Sequence, residues 1–366
     1  MNLNAVPQSL QTPGTAPVAA ESPTLHRLPV NGITLASWEW RPQLRGQQPT
    51  LLLVHATGFH GRVWDQVVRH LPDRHVIAVE QRCHGRSDAT PFANWDVFGR
   101  DLAAVAVAWR LDGAQGVGHS MGGHALVCAA SLAPTCFERL MLIDPVLRAP
   151  DTYLQAESEL GPLHPSAGRK NRFESPQAMF TRFADRLPYA VFDPQALRDY
   201  CEYGLIQNPE GDGDSDGDSK GWRLACDPLH EASVYTLARQ NPGVYASIRA
   251  LKLPVLVVRA RDMDPGILPW DPLGSPTWAG LAAEFAQGRD LHLTDKTHLL
   301  PMEDPALVAR LIDGWGQGQE AVGPTRHPQL SQARSGPAIG STRTPARPAP
   351  GQLCGAAPAT APARRR

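Results

Sequence analysis

The chain gathers its apolar residues into short unbroken runs, separated by stretches in which apolar and polar positions mix. LLLVH (51–55), HVIAVE (75–80), RLMLID (139–144) and PVLVVRA (254–260) are too short for core helices and too apolar for strands with one wet face. They predict parallel strands buried on both sides. AQGVGH, ending at 119, is a weaker strand, and DLHLTD (290–295) is the last of the series. Helical patterns fall between them at 61–71, about 95–110, 121 to about 132, and from Pro305 onward. Ahead of all these, LHRLPV and ITLASWEW flank Val30-Asn31-Gly32, and Asn-Gly is a strong hairpin turn. Alternation of this order predicts an α/β fold, a mostly parallel central sheet covered by helices on both faces.

The pattern breaks between 147 and 247, where helix and loop mix without clear strand periodicity. This stretch reads as a mainly helical lid inserted between two strands of one domain. The expected organisation is a disordered segment 1–23, the first part of the core 24–146, the lid 147–247, the second part 248–316, and a tail 317–366. The tail is rich in Pro, Ala, Gly and Arg, a composition that cannot build a packed core. Within the lid lies GDGDSDGDS (211–219). Asp212, Asp214, Asp216 and Gly217 match the opening of a calcium loop, but its twelfth position would be Arg223, which cannot supply the closing bidentate carboxylate. The run therefore reads as a flexible acidic loop.

Charge changes this picture little. The net charge is -1 over 366 residues, with 42% apolar residues, enough to bury one large core and giving no global pull toward nucleic acid or anionic membranes. No apolar run is long enough for a bilayer span, and the first residues lack the basic start and apolar centre of a secretory signal. Cysteines 83, 128, 136, 201, 226 and 354 form no close pair, which suits a reducing cytoplasm. A monomer or homodimer acting on a small molecule is expected, with no cofactor and no metal. His60, His84 and Cys83 lack metal-ligand spacing.

The candidate chemistry centres on GVGHSMGGHAL (116–126). Gly118 and Gly122 flank Ser120 at spacing two, and Gly123 follows, at the passage from a strand into an apolar helix. Small residues there permit a sharp turn that lifts the hydroxyl above the sheet and aims the following amides at an anion. Such a serine needs a base. His298 lies a few residues past the last strand, in a loop before the closing helix, whereas His292 falls inside the strand pattern and reads as structural. The acid that orients the base has three candidates. Asp262 is favoured and Asp264 stands beside it, both after the strand 254–260; Asp144 ends the earlier strand 139–144. The oxyanion site is expected from the backbone amides of Met121 and Thr57, the latter in the loop His55-Ala56-Thr57-Gly58-Phe59. Phe59 and His119 are expected at the substrate pocket. Phe180, Phe183, Tyr189, Phe192, Tyr200 and Trp222 either line an acyl pocket or form the lid's own core.

With LLLVHATGFHGRVW, HVIAVEQRCHGRSD, GVGHSMGGHAL, PVLVVRARDMD and LTDKTHLLPMEDP in this order, the chain resembles the α/β-hydrolase superfamily. The similarity is to its lid-bearing branch of serine esterases, lipases and haloperoxidase-like enzymes. The resemblance implies a nucleophile at Ser120, a base at His298, and an acid at Asp262 or Asp264, with Asp144 as the alternative place. It implies acyl transfer to water with a carboxylic ester or related acyl substrate and no cofactor. A carbon–carbon bond hydrolase or a cofactor-free perhydrolase would use the same three residues, and a non-catalytic binding module would keep only the fold. A serine at the elbow argues against the dehalogenase and epoxide hydrolase branches, which carry aspartate there. The family's Arg-Gly-His-Gly turn is here Arg82-Cys83-His84-Gly85, and the cysteine implies a less strained backbone.

Overall fold

The computed structural model describes residues 21–154, 162–208, 221–241, 243–267 and 271–316. The acidic run 211–219, most of the N-terminal segment and the tail 317–366 lie outside the described residues.

The chain begins with a hairpin, β1 (Thr24–Val30) and β2 (Ile33–Trp40). Its turn residues Asn31 and Gly32 both have positive φ, which suits the twist of the flanking strands. Then follow β3 (Leu51–Val54), a 3-10 turn at Gly61–Trp64 running into α1 (Asp65–Arg69), β4 (Val76–Glu80), α2 (Asp96–Ala108), β5 (Ala114–His119), α3 (Met121–Leu132) and β6 (Phe137–Ile143). The insertion carries α4 (Pro150–Leu154), β7 (Arg172–Phe173), α5 (Pro176–Phe183), α6 (Pro194–Tyr203), β8 (Leu205–Asn208), β9 (Gly221–Leu224), α7 (Pro228–Thr236) and α8 (Val244–Ala250). The core resumes with β10 (Val255–Arg259) and β11 (Gly288–His292), and ends in α9 (Leu300–Glu303) and α10 (Pro305–Gly316).

Eight strands form one sheet in the order β1-β2-β4-β3-β5-β6-β10-β11. β2 is antiparallel to both its neighbours, and every other pairing is parallel. The runs predicted as buried strands are indeed covered on both faces. Leu52 and Val54 point into one apolar layer with α2, α3 and α8, while Leu51 and Leu53 point into the other with α1 and α10. This alternation is the period of two expressed in a strand without a wet face. The insertion differs from expectation in one respect. It holds a small antiparallel sheet, β7-β9-β8, whose strands of two to four residues are too short to leave a periodic trace in the sequence. Its helices start at Ser175-Pro176, Asp193-Pro194 and Asp227-Pro228, where each cap side chain accepts a first-turn amide and proline takes a position needing no donor. Among the described residues, no helix is long and apolar enough to cross a membrane.

The register fixes where loops meet. Val54 pairs with Gly118, His119 with Ile143, and Ile143 with Val258, so β3, β5, β6 and β10 end at one level. The residues just beyond these ends open onto one crevice, the usual place for a site in a parallel sheet. Into that crevice α3 starts abnormally close to its neighbours. A Cβ on Gly122 would overlap the carbonyl oxygen of Val54 and reach 2.7 Å from that of His55. One on Gly118 would stand 2.5 Å from the Gly122 carbonyl oxygen, and one on Gly123 would stand 2.7 Å from Pro145 Cβ. The glycines around Ser120 therefore set the distance between helix and sheet. Because those obstacles are backbone atoms, Gly122→Ala is expected to lower stability by about 1–3 kcal/mol or more, read as an earlier urea midpoint at unchanged m-value.

Candidate active site

Ser120 sits between β5 and α3 at φ 56, ψ -118, outside the regions a side chain-bearing residue normally occupies. Its amide donates to the Ile143 carbonyl and its own carbonyl accepts from Gly123 and Val146, so the strained turn is pinned on both sides. The hydroxyl lies 3.1 Å from His298 Nε2, to which it donates. The opposite ring nitrogen, Nδ1, donates to Asp144 Oδ2 at 2.6 Å. These three side chains, 178 and 154 residues apart in the two pairings, thus form one hydrogen-bonded chain.

Asp144, rather than the favoured Asp262, is the carboxylate brought against His298. Asp144 follows β6 at φ 45, a left-handed conformation that aspartate tolerates, and is buried. The Asp262 side chain is 80% exposed, and its carboxylate lies 3.7 Å from His292 Nε2. Asp264 accepts from the Gly266 amide, which turns it into a loop cap. The physical reason is adjacency. β6 and β10 are neighbours in register, so a carboxylate after either strand can reach the same crevice, and here the loop after β10 runs outward. Burial alone would push the Asp144 carboxyl up. The hydrogen bond and charge of His298 oppose this, helped by the Ser275 hydroxyl and the Ala260 amide, and hold it below the usual carboxylate value.

His119, expected to pack or hydrogen-bond near the site, lies against the His298 loop. Its Nε2 is 2.7 Å from the His298 carbonyl oxygen, to which it donates. Burial, followed by the charge of His298, pushes its pKa down to about 3, so it stays a neutral donor. The His298 amide in turn donates to the Leu273 carbonyl at 2.9 Å, fixing the residue at both ends of its backbone.

Val54 and His55, which lead into the loop that carries Thr57, lie against the first turn of α3. Among the described residues, neither the Thr57 nor the Met121 amide has a hydrogen-bond partner, and Met121 lies at the positive end of the α3 dipole. Two histidines brace the loop. His55 Nδ1 donates to the Ala56 carbonyl and its Nε2 accepts from the Gln81 amide, while His84 Nδ1 donates to the Arg82 carbonyl and its Nε2 accepts the Gly58 amide at 3.0 Å. Each ring must be neutral to accept. Burial drives both pKa values down, that of His84 to about 4. His55 reads from the sequence as a structural hydrogen-bonding residue, and it is one; the bracing by His84 was not read, although the turn holding it was. Cys83 in that turn has φ 65, so the cysteine does not relax the backbone as expected; it occupies the left-handed region that glycine would hold.

Phe59 stacks against Phe192 and tilts against Tyr200, and both of these are buried with Leu197 and Met179 in the lid's apolar core. Phe180, Phe183, Tyr189 and Trp222 pack around the same cluster. A cavity of about 10 Å³, room for about one water, lies between Gly58, Phe59, Arg169 and Tyr200. Arg169 pairs there with Glu231 and donates to the hydroxyls of Tyr189 and Tyr200. Among the described residues, no group of three or more His, Cys, Asp or Glu side chains is arranged to hold a metal ion.

A serine raised on a strained strand-to-helix turn, facing an imidazole at the carboxyl edge of a mostly parallel sheet, defines a class. The chain belongs to the alpha/beta hydrolase family, which it matches over residues 51–311, and is an enzyme of the carboxylesterase- and lipase-like type. It is 34% identical over 276 residues to the lipase LipV of Mycobacterium tuberculosis, covering 72% of this chain and 91% of that one. A stretch of 72 residues is 36% identical to the esterase YbfF of Escherichia coli, spanning 20% of this chain and 28% of that relative. Among solved structures, E-2-(acetamidomethylene)succinate hydrolase superposes with a TM-score of 0.59 at 21% identity, over 80% of this chain and 98% of the other, and so shares the fold.

The bracing of Gly58 by a neutral imidazole has a pH signature. An unfolded histidine takes up its proton near pH 6.5, whereas folded His84 does so only at about 4. Its contribution to stability is therefore complete above pH 6.5 and is lost as pH falls toward 4. Between pH 7 and pH 5 the loss from this residue amounts to about 2 kcal/mol. His84→Gln, which keeps an acceptor without the titration, should flatten the dependence of the urea unfolding free energy on pH by that amount.

Proposed function

We propose that this protein is a serine hydrolase that cleaves a carboxylic ester through an acyl-enzyme on Ser120. The observation that carries this reading is the continuous chain Ser120 Oγ–His298 Nε2, His298 Nδ1–Asp144 Oδ2, at 3.1 and 2.6 Å. In the proposed reaction Ser120 Oγ attacks the ester carbonyl carbon while His298 Nε2 takes the hydroxyl proton. Negative charge develops on the carbonyl oxygen, where the free amides of Thr57 and Met121 receive it. As the tetrahedral centre collapses, the bond to the alcohol oxygen breaks and His298 returns its proton to that oxygen. Water then repeats the sequence on the acyl carbon, releasing the acid and restoring the serine. Asp144 keeps the proton on Nδ1 throughout, so that Nε2 is the nitrogen that takes the proton and gives it back.

The names of two relatives, a lipase and an esterase, support the same reaction class.

A fluorophosphonate tests the reading directly. Intact mass is expected to show one adduct, mapped to Ser120, absent in Ser120→Ala and formed far more slowly by His298→Ala. With p-nitrophenyl acetate, Asp144→Asn should lower kcat by about 10⁴, the cost of the wrong imidazole tautomer. Asp262→Asn should leave kcat at the parental value. An adduct elsewhere, or an unchanged Asp144→Asn beside a crippled Asp262→Asn, would sink the assignment.

A further inference from the structure

The loop after β10 contributes no carboxylate to His298, yet it is not idle. From Ala260 it leads outward past Asp262 and returns as the segment 271–277, which comes back under Asp144. The Ser275 hydroxyl donates to Asp144 Oδ1 at 2.5 Å, and the Ala260 amide donates to the same oxygen at 3.1 Å. Ser275 Oγ itself accepts from the Thr277 amide at 3.2 Å, which leaves its single proton directed at the carboxylate. The Thr277 hydroxyl donates to the Pro145 carbonyl at 2.7 Å and lies 3.3 Å from Asp144 Oδ1. Asp144 Oδ2 is thereby left to His298. Ser275, Thr277 and Asp144 are all buried, so none of these bonds competes freely with water.

The segment is itself held rigidly. Buried Asp271 accepts from the Leu273 and Asp264 amides and pairs with Arg261 at 2.7 Å. The Ser275 amide donates to the Arg261 carbonyl at 2.8 Å, and the Leu273 carbonyl accepts the His298 amide at 2.9 Å. One short stretch therefore grips the carboxylate through Ser275 and the imidazole's backbone through Leu273.

We propose that Ser275 is a positioning residue for hydrolysis: its hydroxyl holds Asp144 Oδ1 so that Oδ2 meets His298 Nδ1, while Thr277 orients the Ser275 proton and ties the Pro145 carbonyl. The segment 271–277 replaces the acid that the loop after β10 would otherwise carry with a socket for an acid arriving from β6. This rests on Asp144 acting as the proposed acid. The other charged or titratable groups near the carboxylate are His298, His119 and Arg259, and a change at Ser275 leaves all three in place.

The test compares Ser275→Ala, Ser275→Thr, Thr277→Val and Asp144→Asn with p-nitrophenyl acetate, with active sites counted by fluorophosphonate titration. Per titrated site, Ser275→Ala is expected to lose about tenfold in kcat with KM near parental. A carboxylate with one donor fewer draws the Nδ1 proton more strongly, so the acidic limb of kcat/KM should move to higher pH. Ser275→Thr, which restores the hydroxyl, should recover most of the rate, and Thr277→Val should fall between. Parental kcat per site and an unmoved limb in Ser275→Ala, beside a crippled Asp144→Asn, would overturn the proposal. So would a loss explained wholly by fewer titratable sites. An active Asp144→Asn would instead remove the reading beneath it.

Discussion

The start of α3 lies so close to the end of β3 that only hydrogen fits at Gly122. That distance governs the arrangement around it. A helix so near the sheet can be entered from β5 only through a turn of less than one residue's normal freedom, which places Ser120 at φ 56. The same closeness sets the first turn of the helix against the backbone of Val54 and His55, where the loop that carries Thr57 begins. It also lets Pro145 press on Gly123, which brings the chain after β6, and with it Asp144, over the helix start. Steric exclusion by backbone atoms thus sets the geometry, and hydrogen bonds then secure it.

The securing bonds divide histidines by task. His55, His84 and His119 are buried, and burial pushes each toward neutrality, so that they serve as fixed donors and acceptors at defined nitrogens. His298 differs in its partners: a carboxylate on one nitrogen and a hydroxyl on the other. The Nδ1 bond to Asp144 fixes which nitrogen faces Ser120, and the Ser275 hydroxyl and Ala260 amide hold the other oxygen of Asp144.

Much of this could be read from the residues. Unbroken apolar runs marked the buried strands, and Asn31-Gly32 marked the hairpin. Ser120 and His298 were legible because glycine spacing and chain position constrain them locally. The carboxylate was not. β6 and β10 end side by side, so Asp144 and Asp262 satisfy the same sequence pattern, and the choice depends on which way the loop after β10 turns. That turn depends on Asp271, Arg261 and Ser275, whose contact with Asp144 spans 131 residues and leaves no local mark. The bracing of Gly58 by His84 is hidden for the same reason. At Cys83 the residue type misled, because contacts around the turn impose a positive φ on a side chain that does not favour it.

The order of these pieces along the chain has a consequence for biosynthesis. Strands β3 to β6 bring the serine, its amides and Asp144, whereas His298 lies 154 residues beyond Asp144 and comes into place only when β11 has docked on β10. A chain that ends at β6 therefore carries Ser120 and Asp144 but not the imidazole that joins them. The Ser120–His298 hydrogen bond forms only once β11 and the loop after it have docked, so the hydrogen-bonded chain closes with the last strand of the sheet.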